Sequence, residues 1–263
     1  MSVSFDRIDR RRIETVADLV TDVRDVREAT DKHKLWYRGH SCASFQLLPS
    51  IARKSKYGNR EQLFGRKEEQ ELLHRFRRRA YSQDRAVDNA GYALFLARHH
   101  GLPTRILDWT ANVLFALHFS CAAHSENDGR LWAFRQRGYL TVPDAFELTQ
   151  RESEAELFGS ANDALCIKIV HPVFNSVRLV AQDGGFTWHS DPWRPLEDLP
   201  GTPFEEDALD IEHLYTWVIP REAKPHILRE LSGLGITHRS MFPDLDGIAR
   251  SLWETEVLWN GSS

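Results

Sequence analysis

The sequence has too few cysteines, too widely spaced, to build a disulfide framework or a zinc cluster. Its three cysteines are Cys42, Cys121 and Cys166, and no Cys-x-x-Cys pair occurs. An odd number at such spacing favours reduced thiols. The adjacent His99 and His100 do not supply a metal site either, because successive helical positions do not share a face. We therefore expect no metal site.

Long apolar runs and a secretion signal are also lacking. The most apolar stretch, residues 111–123, is broken by polar residues and is too short to cross a bilayer. Charged residues crowd positions 7–12, where a signal peptide would place its apolar core. We therefore expect a cytoplasmic protein that has no membrane partner.

A general excess of positive charge is missing as well. The net charge of −4 argues against a chain that holds nucleic acid by its overall charge. Residues 75–85 are a local exception, because five arginines fall there. The glutamates between positions 68 and 71 favour a solvated helix face on which these charges neutralise one another.

The familiar catalytic motifs are absent too. The sequence contains no glycine-rich phosphate loop of the Walker or dinucleotide type, no nucleophile elbow and no His-Glu-x-x-His helix. A functional site must therefore be sought in clusters of polar residues at the ends of predicted elements.

What is present is a globular composition, with 41% apolar and 27% charged residues. Helical spacing of apolar residues predicts helices over residues 14–29, 61–81 and 87–100, a fourth that begins at Thr110 as its N-cap, and two more over 222–231 and 245–257. Short apolar runs predict strands over residues 35–39, 131–134, 165–170, 177–181, 215–219 and 236–242. Because helices dominate the N-terminal half and strands come later, we predict an α+β fold with helices packed on an antiparallel or mixed sheet.

Arg38 is the first candidate site residue. It follows the aromatic pair Trp36-Tyr37 at the end of a predicted strand and precedes Gly39, which lets the backbone turn. A guanidinium placed there is suited to grip a phosphate or carboxylate with two hydrogen bonds. The alternative is an internal ion pair with Glu69 or Glu71.

The run His-His-Gly-Leu-Pro-Thr-Arg-Ile-Leu-Asp-Trp-Thr at 99–110 is the second candidate. It joins a helix end to a short strand and concentrates polar groups in an apolar neighbourhood. Such groups must bond to one another or to a ligand, because burying them unpaired is costly. The alternative is that Arg105 pairs with Asp108 while His100 bonds to the last carbonyl groups of its helix.

Two later segments complete the set of candidates. Alternation along a predicted strand places Gln182 on the same face as Arg178, just before two glycines. Residues 242–247 put Asp244 and Asp246 at the start of the last predicted helix. N-capping explains one of these acids without any functional role.

These segments together resemble the FRG domain, a family named for its Phe/Tyr-Arg-Gly motif. The segments that carry the resemblance are Trp36 to Gly39, Leu47 to Arg53, Glu71 with Phe76, His99 to Thr110, Gln182 to Phe186 and Phe242 to Ala249. The order spans about residues 35–250 and implies an FRG domain over 35–263, preceded by a helical extension over 1–34. Arg98 departs from the family, which tends to carry Gln there. The family occurs in bacteria and phages, which implies a toxin or a phage-defence effector.

Tyr37-Arg38-Gly39 is also similar to the first-strand motif of arginine-type ADP-ribosyltransferases. This resemblance implies an ADP-ribosyltransferase-like core in which Arg38 holds NAD, the substrate, and an acid stabilises the ribosyl cation. Asp244 is our candidate for that acid. The other residues that would line the site are Tyr37, Gly39, His100, Thr104, Arg105, Asp108 and Gln182.

The resemblances thus imply an ADP-ribosyltransferase-like enzyme that modifies a nucleic acid or a protein. A toxin of this kind is expected to have an inhibitory partner such as an antitoxin. One alternative is a non-catalytic recognition module for a nucleotide or nucleic acid, in which the arginines at 75–79 contact phosphate. The other is a metal-dependent nuclease that uses Asp244 and Asp246.

Overall fold

The computed structural model describes seven strands that form one mixed sheet, and it covers residues 6–29, 34–53, 65–136, 158, 167–170, 181–198 and 211–260. The strands are β1 (Asp6–Arg12), β2 (Leu35–His40), β3 (Ile106–Thr110), β4 (Gly129–Gln136), β5 (Ile167–Val170), β6 (Gly184–His189) and β7 (Ile211–Ile219). Their order across the sheet is β1-β7-β4-β2-β3-β6-β5. Strand β1 is parallel to β7, and the other described pairs are antiparallel.

Seven α-helices lie within the described residues. They are α1 (Val16–Ala29), α2 (Arg66–Ala80), α3 (Ala90–His99), α4 (Val113–Cys121), α5 (Lys224–Gly233), α6 (His238–Met241) and α7 (Leu245–Asn260). Most of them precede the middle of the chain and they flank a mixed sheet, so the predicted α+β fold is confirmed. None of the described helices has the length and apolar character that crossing a membrane requires.

The alternation of side chains along the central strands builds two cores on opposite faces of the sheet. In β4, Leu131 and Ala133 belong to a cluster that α1, α4 and α5 cover, whereas Trp132 and Phe134 belong to a second cluster. This division follows from the two-residue period of a strand. A third cluster joins α2 and α3 to residues of β3, β5 and β6.

The N-terminal segment contributes a strand that the sequence did not predict. Strand β1 pairs with β7, and Asp22 of α1 ties the two together. The Asp22 carboxylate accepts hydrogen bonds from Arg10 and, at 2.7 Å, from Nε1 of Trp217. The division of the chain into an extension over 1–34 and a domain over 35–263 stays a prediction, but β1 and α1 pack on the same sheet as the rest.

The start of one predicted helix and the type of one predicted element were wrong. Thr110 is the last residue of β3, and Asn112 is the N-cap of α4, because its side chain accepts hydrogen bonds from the amides of Leu114 and Phe115. The strand predicted over 236–242 is instead the short helix α6, for which Thr237 and the Ser240 hydroxyl form a capping box.

The remaining predictions of elements were largely correct, with two qualifications. Residues 61–64 of the second predicted helix, 165–166 of one predicted strand and 177–180 of another lie outside the described residues. Strand β6 was not predicted; its sequence starts with two glycines, which are uncommon in strand interiors.

Candidate functional site

A cavity of about 770 Å³ opens beside the ends of strands β2 and β3, next to the end of α3 and the start of α7. Its walls carry four arginines, Arg38, Arg53, Arg98 and Arg250, and two carboxylates, Asp108 and Asp246. Aromatic rings fill the space between them, among them Phe95, Phe119, Phe186 and Phe242. The cavity therefore combines excess positive charge with flat apolar surfaces.

The sheet brings Arg38 and Asp108 together. Strands β2 and β3 run antiparallel with Tyr37 opposite Thr110, so Arg38 of one strand lies close to Asp108 of the other. The Arg38 guanidinium donates from Nη1 to the Asp108 carbonyl oxygen at 2.6 Å, and its closest distance to the carboxylate is 3.6 Å. Burial, followed by the charge of Arg53, lowers the pKa of Arg38 to about 9. This guanidinium is therefore fixed by the sheet while only 14% exposed.

His40 holds the other side of the Arg38 guanidinium. Nε of Arg38 donates to Nε2 of His40 at 3.1 Å, so the imidazole accepts at that nitrogen. Its Nδ1 then carries the proton and donates to the carbonyl oxygen of Phe45, also at 3.1 Å. Burial, followed by the charges of Arg38 and Arg53, holds the pKa of His40 well below its usual value. A neutral histidine in one tautomer thus orients Arg38.

The Asp108 carboxylate forms its closest ion pair with Arg98. Arg98 of α3 grips it with two hydrogen bonds, one of them from Nε at 3.1 Å. Although burial opposes ionisation, the charges of Arg98, Arg38 and Arg53 together lower the Asp108 pKa to about 2. Burial and the neighbouring charge of Arg98 also lower the pKa of Arg53. Three arginines therefore share one carboxylate, and their mutual repulsion favours an additional anion.

Arg105 lies in the interior and not in the cavity. Its side chain is 0% exposed and pairs through Nε and Nη2 with Glu69 of α2, which is 2% exposed. Nη1 donates to the carbonyl oxygens of His189 and Ser190. Both alternative ion pairs were therefore wrong: Glu69, considered for Arg38, pairs with Arg105, and Asp108, considered for Arg105, pairs with Arg98 in the cavity.

Thr104 and His100 are also not among the residues that line the cavity. Thr104 is buried, and its amide donates to the Ser50 hydroxyl at 3.0 Å, which anchors the turn after β2. His100 caps the exposed end of α3. Its neighbour His99 reaches the cavity instead, because successive helical residues point about 100° apart.

Asp244 starts α7 as a capping residue. Its carboxylate accepts a 2.8 Å hydrogen bond from the Gly247 amide, and it does not line the cavity. Asp246, two residues later, does line it. Gly247 allows the close approach of the two segments, because a Cβ there would meet the Phe242 carbonyl oxygen at 1.8 Å. A catalytic role for Asp244 stays a prediction, and the acids that line the cavity are Asp108, which Arg98 holds, and Asp246.

Three further residues that the sequence predicted for the site line the cavity: Tyr37, Gly39 and Gln182. Burial raises the pKa of Tyr37 to about 12. The backbone of Gln182 is held by Thr110, whose hydroxyl donates to the Gln182 carbonyl oxygen at 2.5 Å. Gly39 lies directly under α4, since a Cβ there would be 2.0 Å from the Ala116 carbonyl oxygen.

The sequence-based interpretation missed Arg53, His238 and Arg250. Arg53 follows the Leu47–Pro49 segment, whose position is set by a turn that no periodic pattern reveals. Arg250 was detectable, because residues 246 and 250 are one helical turn apart on a predicted helix and so share a face.

Among the described residues, no group of three or more His, Cys, Asp or Glu side chains is placed to hold a metal ion.

Fold and cavity together define an α+β protein with an arginine-rich, aromatic-walled cavity beside two inner strands of its sheet. Residues 33–129 match the family model of the FRG domain, which supports the FRG family for this part of the chain. The matched segment contains Arg38, Arg53, Arg98 and Asp108, the polar groups that share one end of the cavity. Neither the curated proteins nor the solved structures that were compared contain a match to the chain.

Proposed function

We propose that this chain is an ADP-ribosyltransferase-like enzyme that binds NAD in the cavity and transfers its ADP-ribose to a macromolecule. The observation that carries the proposal is the group of Arg38, Arg53 and Arg98 around the single carboxylate of Asp108. The positive charge of these three guanidinium groups exceeds the single negative charge of the Asp108 carboxylate. The diphosphate of a dinucleotide supplies the missing negative charge and matches the two-pronged donors of arginine.

The aromatic walls support a dinucleotide over a simple inorganic anion. Phe95 and Phe186 lie 5.2 Å apart between ring centroids, and Phe119 packs edge-on against Phe242 at 6.0 Å. Purine and nicotinamide rings are flat and pack favourably on such surfaces. A cavity of about 770 Å³ also falls in the range of small-molecule sites.

The proposed reaction breaks the bond between C1′ of the ribose and the nicotinamide nitrogen. The bonding electrons leave with nicotinamide, a nucleophilic oxygen or nitrogen of the target forms the new bond to C1′, and its proton passes to a base or to water. Positive charge develops on the ribose in the transition state, and a carboxylate nearby stabilises it. We assign that role to Asp246, because it lines the cavity, whereas Asp244 caps α7 and the Asp108 carboxylate is held by Arg98.

Because the FRG family occurs in bacteria and phages, we further propose that the enzyme is a toxin or a phage-defence effector. Its target would then be a cellular or phage nucleic acid or protein. An antitoxin or similar inhibitory partner would restrain it.

The proposal is tested by incubating the purified protein with NAD and with protein, RNA and DNA targets. Nicotinamide release and the mass of the target are measured. We expect release with wild type, its loss in Asp246→Asn, and its retention in Asp244→Asn, because asparagine still caps a helix. The proposal fails if the folded wild type releases no nicotinamide and modifies no target.

NAD or ADP-ribose binding without nicotinamide release would instead identify a recognition module. That result would leave the role of the arginines intact and remove only the catalytic role of Asp246.

A further inference from the structure

The acids that could neutralise the arginines of α2 are already engaged elsewhere. Glu69 is buried against Arg105, and Glu68 accepts from the Gly65 amide at the start of the helix. Glu71 pairs with Arg75. The expectation of a mutually neutralised helix face therefore holds for the Glu71–Arg75 pair but does not extend to Arg78 and Arg79.

The next acids along the chain are also engaged. Asp84 accepts from the Ala86 amide at 2.9 Å and from the Tyr92 hydroxyl at 2.8 Å. The carbonyl oxygen of Asp88 accepts from Arg77, whose Nη2 lies 4.0 Å from the Asp88 carboxylate. Seven arginine and lysine residues face four acids over positions 66–85.

Three exposed arginines remain at this end of the helix. Arg78, Arg79 and Arg85 make no hydrogen bond or ion pair with any residue that the structure describes. Arg78 and Arg79 project from α2 within about 100° of each other. Tyr81 follows these two arginines in the sequence and precedes Arg85, and its side chain is 47% exposed. We call these four residues the α2 basic surface.

We propose that the α2 basic surface binds single-stranded nucleic acid. Each free guanidinium offers paired donors to a phosphate, and the exposed ring of Tyr81 offers a face on which a base can stack. Binding releases counterions from the strand, which gives affinity without sequence preference.

The composition of the surface favours nucleic acid over a membrane. The apolar residues of α2, Leu73 and Phe76, pack in the core against α3. Tyr81 is thus the exposed aromatic residue of this surface, and it is too isolated to insert into lipid. An acidic peptide would satisfy the arginines but would leave the Tyr81 ring unused.

The surface lies on the helix layer that borders the cavity. Helix α2 packs on α3, and α3 supplies Phe95, Arg98 and His99 to the cavity wall. A nucleic-acid strand bound at the α2 basic surface would therefore lie on the helix layer that contains α3. Binding at this surface does not depend on any reaction in the cavity, so its test is independent of the proposed enzyme activity.

The test measures binding of a fluorescent 20-nucleotide DNA and RNA strand of mixed sequence by anisotropy. With three phosphate contacts, affinity should weaken roughly 20-fold as salt rises from about 50 to about 200 mM. The triple variant Arg78→Ala, Arg79→Ala, Arg85→Ala should bind at least tenfold more weakly at low salt and with a shallower salt dependence. Tyr81→Ala should weaken binding roughly fivefold or more.

Arg24→Ala is the matched control, because Arg24 is 65% exposed on α1 and contacts only neighbouring acids of its own helix. It should bind like wild type. The proposal is overturned if wild type binds neither strand at low salt, or if the triple variant binds as tightly as wild type. It is also overturned if polyglutamate competes as well as an unlabelled strand and Tyr81→Ala has no effect, since an acidic protein would then be the partner.

Discussion

Arg38 donates a 2.6 Å hydrogen bond to the carbonyl oxygen of Asp108, not to its carboxylate, which Arg98 holds. Nε2 of His40 accepts a hydrogen bond from Nε of the same guanidinium. Nη2 of Arg38 makes no hydrogen bond within the described residues. The guanidinium is thus held in place by neutral acceptors and keeps both N–H donors of Nη2 for a ligand.

Removing the partner of the buried Arg105 should destabilise the protein strongly. Glu69→Gln leaves a guanidinium that is 0% exposed without its counter-charge. We expect the free energy of unfolding to fall by about 3–5 kcal/mol, measured by urea denaturation.

Glu71→Gln on the same helix is the control for that substitution. Glu71 is 59% exposed and pairs with Arg75 at the surface. The loss should be below about 0.5 kcal/mol, because exposed pairs contribute little. Equal losses in the two variants would refute the structural role of the Arg105 pair.

The contact between β2 and α4 should not tolerate a side chain at position 39. A Cβ on Gly39 would lie 2.0 Å from the Ala116 carbonyl oxygen, a backbone atom that cannot move without shifting α4. Gly39→Ala should lower the free energy of unfolding by more than about 2 kcal/mol.

Gly233→Ala is the matched substitution, because nothing lies within 4 Å of its Cβ position near the end of α5. Its stability should be unchanged or raised by up to about 1 kcal/mol. A thermal or urea midpoint of Gly39→Ala equal to that of wild type would show that β2 and α4 are not in this contact.

Stability should decrease as the pH falls, in part through His189. Burial, followed by the charges of Arg105 and Arg38, lowers its pKa to about 3 in the folded protein. The unfolded chain takes up this proton near pH 6.5, so the folded state loses stability as the pH falls from 6.5 towards 3.

The contribution of His189 is measured from urea denaturation at pH 7 and pH 5. The contribution should amount to about 2 kcal/mol between pH 7 and pH 5. Over this interval the free energy of unfolding of His189→Gln should therefore fall by about 2 kcal/mol less than that of wild type. His226→Gln, a change at an exposed residue of α5, should retain the wild-type pH dependence. Identical pH dependence in His189→Gln and wild type would contradict a neutral buried His189.

Elements with a local periodic signal could be predicted from the sequence. The apolar spacing of α1 and the aromatic run of β2 were sufficient, because each element buries one face. Strand β1 was not predictable in this way, since its sequence Asp-Arg-Ile-Asp-Arg-Arg-Arg is mostly charged. Such charge is typical of an edge strand, whose pairing with β7 is set by distant residues.

Strand β6 was missed for the opposite reason. Glycines are depleted in strands, yet a Cβ on Gly185 would lie 2.6 Å from the Trp36 ring, so the glycine makes room for a neighbouring side chain. The local sequence does not show which side chain will approach from another strand.

The site was predicted in part for the same physical reason. Arg38, Asp108 and Gln182 were identified from local context, but the partners of the arginines were not. Arg105 and Glu69 are 36 positions apart, and Arg38 and Asp108 are 70 apart. Which acid meets which arginine depends on how strands and helices pack, and that is not encoded in spacing.

The central claim is that Arg38 and its neighbours hold the diphosphate of a dinucleotide. The most direct test is titration calorimetry of ADP-ribose into wild type, Arg38→Ala and the exposed control Arg24→Ala, with each fold confirmed by its unfolding midpoint. We predict that wild type and Arg24→Ala bind alike, and that Arg38→Ala binds at least about tenfold more weakly, because charge-assisted hydrogen bonds are lost. A natively folded Arg38→Ala with wild-type affinity, or a wild type that does not bind ADP-ribose, would contradict it.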